Sequence, residues 1–192
     1  MKNDKGVEVA RAPLTITARS EGAAKAFHLP EIGQTGDLLE VIGPFDGNFA
    51  TTNVKLDDEA IELVAESPRK LIVRNSYNRK GMTLLGLRER DRTAQMDFRS
   101  VAVNLAVPKT ALLKGEKTTL TVKLAGLEGL TKAIPLLLEN TSADVITLSG
   151  GNAERFRINP AAVVDGSVTI ERTVTGIKAG SWTISCSVVK DE

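Results

Sequence analysis

The feature that most constrains this chain is its alternation of branched apolar and polar residues in short runs, each closed by a turn signal. LTIT at 14–17, VKL at 54–56, IEL at 61–63 and LIV at 71–73 follow this pattern. So do VAVNLAV from Val101, TTLTVKL from Thr118, SVTIERTV from Ser167 and WTISCSVV from Trp182. A period of two sends one set of side chains to a core and the other to water. Val, Ile and Thr are stiff at χ1 and suit a pleated surface. Between the runs, TGD at Thr35, FDGN at Phe45, KGE at Lys114, SGGN at Ser149, DGS at Asp165 and AGS at Ala179 supply turns. No segment sustains a helical period, and a single helical turn is expected near NPAAVV, 159–164. Many short strands with this punctuation predict an all-β fold built from sandwiches.

A chain of 192 residues has room for two such units. RERDRTAQMDFRS is polar and charged, and a fresh strand-rich pattern begins at Val101. The expected division is therefore an N-terminal segment at 1–27 carrying one strand, a first sandwich at 28–96 and a second at 97–192. The strand LTIT is expected to pair with either sandwich or with another chain.

Composition excludes several function classes. The 25 basic and 24 acidic side chains nearly cancel, which argues against a nucleic-acid binder or a polybasic membrane-surface protein. No apolar run approaches the roughly 18 residues that span a bilayer, so no transmembrane segment is expected. A single cysteine, Cys186, excludes an intrachain disulfide and fits either a reducing compartment or an exported domain that folds without staples. Charge is uneven locally. From 28 to 68 there are nine acidic residues and one basic, and from 69 to 99 nine basic and three acidic. Two readings follow: solvated faces that neutralise one another, or a dipolar module whose acidic end meets the basic end of a neighbour.

LPEIGQTGDLLEVIGPFDG, then TNVKLDDEAIELVAESPRKLIVR, then GMTLLGLRE, resembles the IPT/TIG immunoglobulin-like domain over about 29–89. The matching positions are Pro30, Gly33, Gly36, Val41, Gly43, Phe45, Val54, Ala60, Ser67, Pro68, Leu71, Val73 and Gly81. Each has a structural reason. Gly33, Gly36 and Gly47 are expected to take positive φ, Pro68 to set a turn, and Phe45 to plug a sheet corner. VPKTALLKGEKTTLTVKLAGLEGL through SWTISCSVV resembles bacterial immunoglobulin-like modules of the invasin and adhesin type. The resemblance implies two immunoglobulin-like β-sandwiches in tandem, in an extracytoplasmic bacterial protein that spaces, binds or assembles.

No catalytic constellation is expected. His28 is the sole histidine and lies far in sequence from Cys186, which alternates with Ile184 and Val188 and reads as a buried, inert thiol. Asp57, Asp58 and Glu59 lack calcium-loop spacing, and zinc lacks its ligands, so no metal or other cofactor is expected. Asn140-Thr141-Ser142 matches a glycosylation sequon. Aromatics are 4% of the chain. Tyr77, in the polar loop RNSYNRKG with Arg74, Arg79 and Lys80, is the best candidate for an exposed binding side chain. Trp182 is expected to pack between sheets. The expected partners are a protein or another copy of the chain. Polysaccharide or another anionic polymer at the Tyr77 loop is the alternative, and a role as accessory domain of a larger exported enzyme or secretion component is a third.

Overall fold

The computed structural model describes residues 27–189. The strands of the first half are β1 (Ile32–Gln34), β2 (Leu38–Ile42), β3 (Thr52–Leu56), β4 (Glu59–Ala60), β5 (Leu63–Ser67), β6 (Lys70–Arg74) and β7 (Gly81–Glu89). They lead into the 15-residue β8 (Arg92–Ala106). The second half adds β9 (Lys117–Ala125), β10 (Ile134–Asn140), β11 (Ile146–Leu148), β12 (Ala153–Ile158), β13 (Ser167–Gly176) and β14 (Ile184–Val188). Short 3-10 turns occur at Phe49–Thr51 and at Pro160–Ala162, the latter where one helical turn was expected. The strand expected at LTIT, and the rest of the N-terminal segment before Phe27, lie outside the described residues.

The fold is all-β: two immunoglobulin-like sandwiches in tandem. One eight-stranded sheet runs through both, in the order β11-β13-β9-β8-β7-β3-β4, with β1 pairing β8 in parallel. Two three-stranded sheets, β2-β6-β5 and β12-β10-β14, cover it, one per sandwich. The first core gathers Val41, Phe45, Leu56, Leu71, Val73, Leu85 and Phe98. The second gathers Val101, Val122, Leu124, Leu136, Leu138, Val174 and Cys186.

β8 organises the molecule. Its Arg92–Ser100 half pairs with β7, and its Ala102–Ala106 half with β9. The expected division between Met96 and Asp97 falls inside this strand. Charged and polar residues there are compatible with a strand because they take the outward positions. Thr93, Gln95 and Asp97 are exposed, while Ala94, Met96 and Phe98 turn inward. The core changes over two to four residues later, between Phe98 and Val101.

At the changeover the halves are tied together. Buried Arg99 donates through Nη1 to the carbonyls of Gly126 (2.8 Å) and Glu128 (2.9 Å). Desolvation pulls its pKa below the usual guanidinium value, against the opposing charge of Glu128. β1 lies on the opposite edge of β8 from β7, with Gly33 level with Ser100 and Thr35 N–H donating to Val101 O.

Two local expectations change. IEL is not a strand: Ile61 and Glu62 fall between β4 and β5, and the strand starts at Leu63. Gly33 lacks positive φ and lies within β1. It must be small because a Cβ there would collide with Leu39 and press Phe98 at 3.1 Å. Gly36 and Gly47 do take positive φ, and Phe45 is buried 5.3 Å from the Phe27 ring.

Candidate functional site

The loop between β6 and β7 carries the predicted binding residues, and a buried asparagine that sequence reading passed over positions it. Asn75 is fully buried, and its Nδ2 donates to Gln34 O (2.7 Å) and Ser100 Oγ (2.8 Å). Its N–H donates to Asp37 O and its carbonyl accepts from Gly36 N–H. Three of those bonds fasten the loop base to the end of β1 and the β1–β2 turn, and the one to Ser100 fastens it to β8. Gly36, at φ +80°, leaves the space that the Tyr77 ring covers, and Tyr77 remains 71% exposed.

The basic residues of the loop divide. Arg74 stays beside Tyr77, with Nε donating to Glu62 at 2.9 Å and Nη1 to Gly36 O at 3.3 Å. The Glu62 carboxylate, by hydrogen bond and by charge, raises the Arg74 pKa above its usual value. Arg79 turns toward the β3–β4 hairpin, where it meets Glu59 at 3.2 Å and Asp57 at 3.5 Å. Lys80 is exposed. The loop thus presents one aromatic face beside a paired arginine.

That pairing recurs through the first sandwich. Lys70 meets Glu40 at 2.8 Å, and Arg90 meets Asp46 at 2.6 Å. Basic residues from the 69–99 segment join acidic residues from the 28–68 segment because antiparallel pairing lays the segments side by side. The two charge groups therefore interleave, as the first of the two sequence readings has it. Solvent screens such exposed pairs, so each adds little to stability.

A carboxylate cluster escaped the sequence reading. Asp46, Glu66 and Glu89 bring oxygens within 4.8 Å of one another, with Glu89 wholly buried. Protein donors reach all three carboxylates. Glu89 accepts from Asp46 N–H (3.1 Å) and Glu66 from Asn48 N–H (3.0 Å), and the single Thr52 hydroxyl, 2.5 Å from Glu89 and 3.0 Å from Glu66, donates to the nearer Glu89. Asp46 accepts from Arg90, Thr51 and Asn48. Desolvation, the largest single influence on Asp46, raises its pKa, but those hydrogen bonds and the Arg90 charge together outweigh it and bring the carboxyl to about 2. The signal was present in the alternation: Gly81, Thr83, Leu85, Leu87 and Glu89 share the inward phase of β7.

The remaining candidates have structural positions. His28 is exposed, its backbone bridging Ile42. Cys186 is buried opposite Leu138, and desolvation pushes its thiol up to about 11. Asn140 has a buried side chain that donates to Ile146 O and Asn152 Oδ1, so the sequon nitrogen is already engaged.

Trp182 differs from its expected packing between sheets. It precedes β14, is only half-buried, and donates from Nε1 to Thr110 O at 3.0 Å. Its ring forms a wall of a groove of about 540 Å³, shared with Leu105, Val107, Leu120, Gly180 and Ile184.

No family model and no curated protein matches the sequence. Among solved structures, the D0–D1 domain of intimin is 13% identical with a TM-score of 0.34, over 84% of this chain and 89% of that one. The Yersinia pseudotuberculosis adhesin InvE is 11% identical with a TM-score of 0.30, over 86% of this chain and 59% of that one. A Bacteroides thetaiotaomicron protein of unknown function is 12% identical with a TM-score of 0.34. That match covers 52% of this chain, which spans 34% of the Bacteroides protein.

Proposed function

We propose that the chain is a non-enzymatic structural and interaction protein, a pair of immunoglobulin-like modules that binds a protein surface or assembles with its own copies. The observation that carries this reading is β8, a single strand that serves both sandwiches and is clamped by Arg99 and β1. Such a strut holds two surfaces at a set spacing, which suits a spacer or assembly unit. The division at Met96/Asp97 and the IPT/TIG character of the first module belong to this proposal, as does an extracytoplasmic bacterial setting, which rests on the sequence resemblance.

The test is solution mass by light scattering after size exclusion, over a concentration series at low and high salt. Mass rising above 20.5 kDa with concentration supports assembly. A constant 20.5 kDa removes self-assembly and leaves binding of a different protein.

A second reading has its own observation. The Tyr77 ring lies against Gly36 and is largely exposed to solvent, as a sugar-stacking platform would be. Retention on polysaccharide gels that Tyr77→Ala abolishes would support it, and no retention of the wild type would end it.

A further inference from the structure

β7 carries a glycine that neither backbone conformation nor packing requires. Gly86 lies in the middle of the strand, level with Lys55 of β3 and Gln95 of β8. Glycine inside a strand weakens it, so its presence asks for a local reason. Every other described glycine has one: a positive φ, or an atom under 3.0 Å from where a Cβ would stand. Gly86 has no positive φ, no bulge beside it and no atom within 4 Å of that point. What remains is close approach from the solvent side. Gly86 forms the floor of a groove of about 780 Å³ on the outer face of the large sheet. Asn53 and Lys55 stand on one side of it and Gln95 on the other, with Leu84 and Arg88 along the strand, all exposed. Asp57 and Asp58 of the β3–β4 hairpin close one end.

We propose that this groove binds a sugar that bears one carboxylate, a uronate unit within a glycan. The proposal goes beyond the Tyr77 reading, since it sets the sugar on the sheet face and names its class. Lys55 and Arg88 are diagonal neighbours across β3 and β7, about 7–8 Å apart. Neither has an acidic partner among the described residues, unlike Lys70, Arg74, Arg79 and Arg90. Arg88 donates from Nε to Arg90 O at 3.1 Å, which orients its guanidinium. A carboxylate set between the two side chains would accept from both. Gly86 lets the sugar ring lie close to the backbone, and Asn53 and Gln95 flank it as donors and acceptors for hydroxyls.

The same surroundings disfavour other occupants. β7 has a neighbour on each side of Gly86, so no backbone group is left to pair with an added strand. The groove holds no aromatic side chain and one large exposed apolar one, Leu84, so a protein anchor and a stacked base both lack a seat. Charge narrows the ligand further. Arg90 is paired with Asp46, and Asp57 is held by Arg79 and by Leu84 N–H. Asp58 has no cation partner among the described residues, and a second anionic unit running toward the hairpin would meet it. The groove is therefore complementary to one negative charge with neutral sugars beside it.

The test follows the backbone amide resonances of the full chain as methyl glucuronide, methyl glucoside or acetate is titrated in. Glucuronide is expected to shift the amides of Lys55, Gly86 and Gln95, and glucoside and acetate to bind about tenfold more weakly or worse. Gly86→Leu and Lys55→Gln/Arg88→Gln are each expected to weaken glucuronide by about tenfold or more, and Tyr77→Ala to leave it unchanged. Gly86→Ala separates blockage from misfolding. With open space around its Cβ, it is expected to melt above the wild type and still to bind glucuronide less tightly. Glucoside or acetate binding as tightly as glucuronide would overturn the uronate. Unchanged glucuronide affinity in the folded groove variants would overturn the groove. Shifts confined to the Tyr77 loop and lost in Tyr77→Ala would also overturn the groove, while leaving the Tyr77 reading intact. No shift from glucuronide anywhere would overturn the proposal, and the polysaccharide-gel result for Tyr77→Ala would then decide the Tyr77 reading separately.

Discussion

At the scale of single residues, the buried polar groups decide more than the exposed charges. Glu89 is the acceptor for Asp46 N–H and Thr52 Oγ1 inside the first sandwich. Glu89→Ala strands Asp46 N–H, leaves the Thr52 hydroxyl only Glu66 as acceptor, and is expected to cost about 1–3 kcal/mol, read from urea unfolding. Glu89→Gln keeps an acceptor oxygen and is expected to cost less. Asp46 sets a pH dependence. Its folded pKa of about 2 lies below the ordinary 3.8, so it stabilises the fold fully above pH 4 or so. That contribution is lost as pH falls through the folded value. Melting temperature measured from pH 7 to pH 2 is expected to drop over the last two units, and less steeply in Asp46→Asn. A parallel profile in the variant would show that other groups govern acid unfolding. Cys186, with a thiol pKa of about 11 and a buried side chain, is expected to resist a thiol reagent in the native protein. It should react completely in denaturant.

At the scale of elements, alternation made the strands of the second sandwich legible, since β9, β13 and β14 coincide closely with their sequence runs. Where a strand carries charge on its outer face, the same rule was harder to apply. The Arg92–Asp97 part of β8 reads as a linker until its inward Ala94, Met96 and Phe98 are counted separately. Glu89 was hidden for the converse reason, a charge at an inward position, which only its partners on other strands explain. Asn75 was illegible because its partners, Gln34 and Ser100, are distant in sequence and are brought together by β1 pairing with β8. The Tyr77 loop was legible because a polar run between two apolar strands has few other places to go. The junction gives a further test. Gly126 has φ +87°, and a Cβ there would stand 2.6 Å from both Gly81 N and Ser100 O. Gly126→Ala is expected to unfold the chain at a lower denaturant concentration. Arg99→Met, which leaves the Gly126 and Glu128 carbonyls without their donor, is expected to cost about 1–3 kcal/mol. A stability unchanged in Arg99→Met would mean that the β1 and β8 pairing alone holds the junction.

At the scale of the whole molecule, the shared strand has a thermodynamic consequence. Two sandwiches joined by a flexible linker open separately, whereas these two share β8, whose halves pair with β7 and with β9. Unpairing β9 from Ala102–Ala106 removes the lower support of Val101 and loosens the loop that Arg99 holds. The first sandwich then loses part of the frame for β7. Leu136, fully buried in the second core, provides the perturbation. Leu136→Ala is expected to cost about 2–5 kcal/mol. With the halves coupled, backbone amides of β7 near Gly81 exchange faster with solvent deuterium in this variant, although Leu136 belongs to the other core. Trp182 fluorescence, which reports the second sandwich, and far-ultraviolet circular dichroism, which reports both, are expected to trace one coincident unfolding transition. Faster exchange confined to β9–β14, with Trp182 melting ahead of the dichroism, would instead make β8 a passive tether between two independent units. The strut that underlies the proposed function would then lose its stiffness, because a unit that opens on one side cannot fix the spacing of surfaces held at both ends.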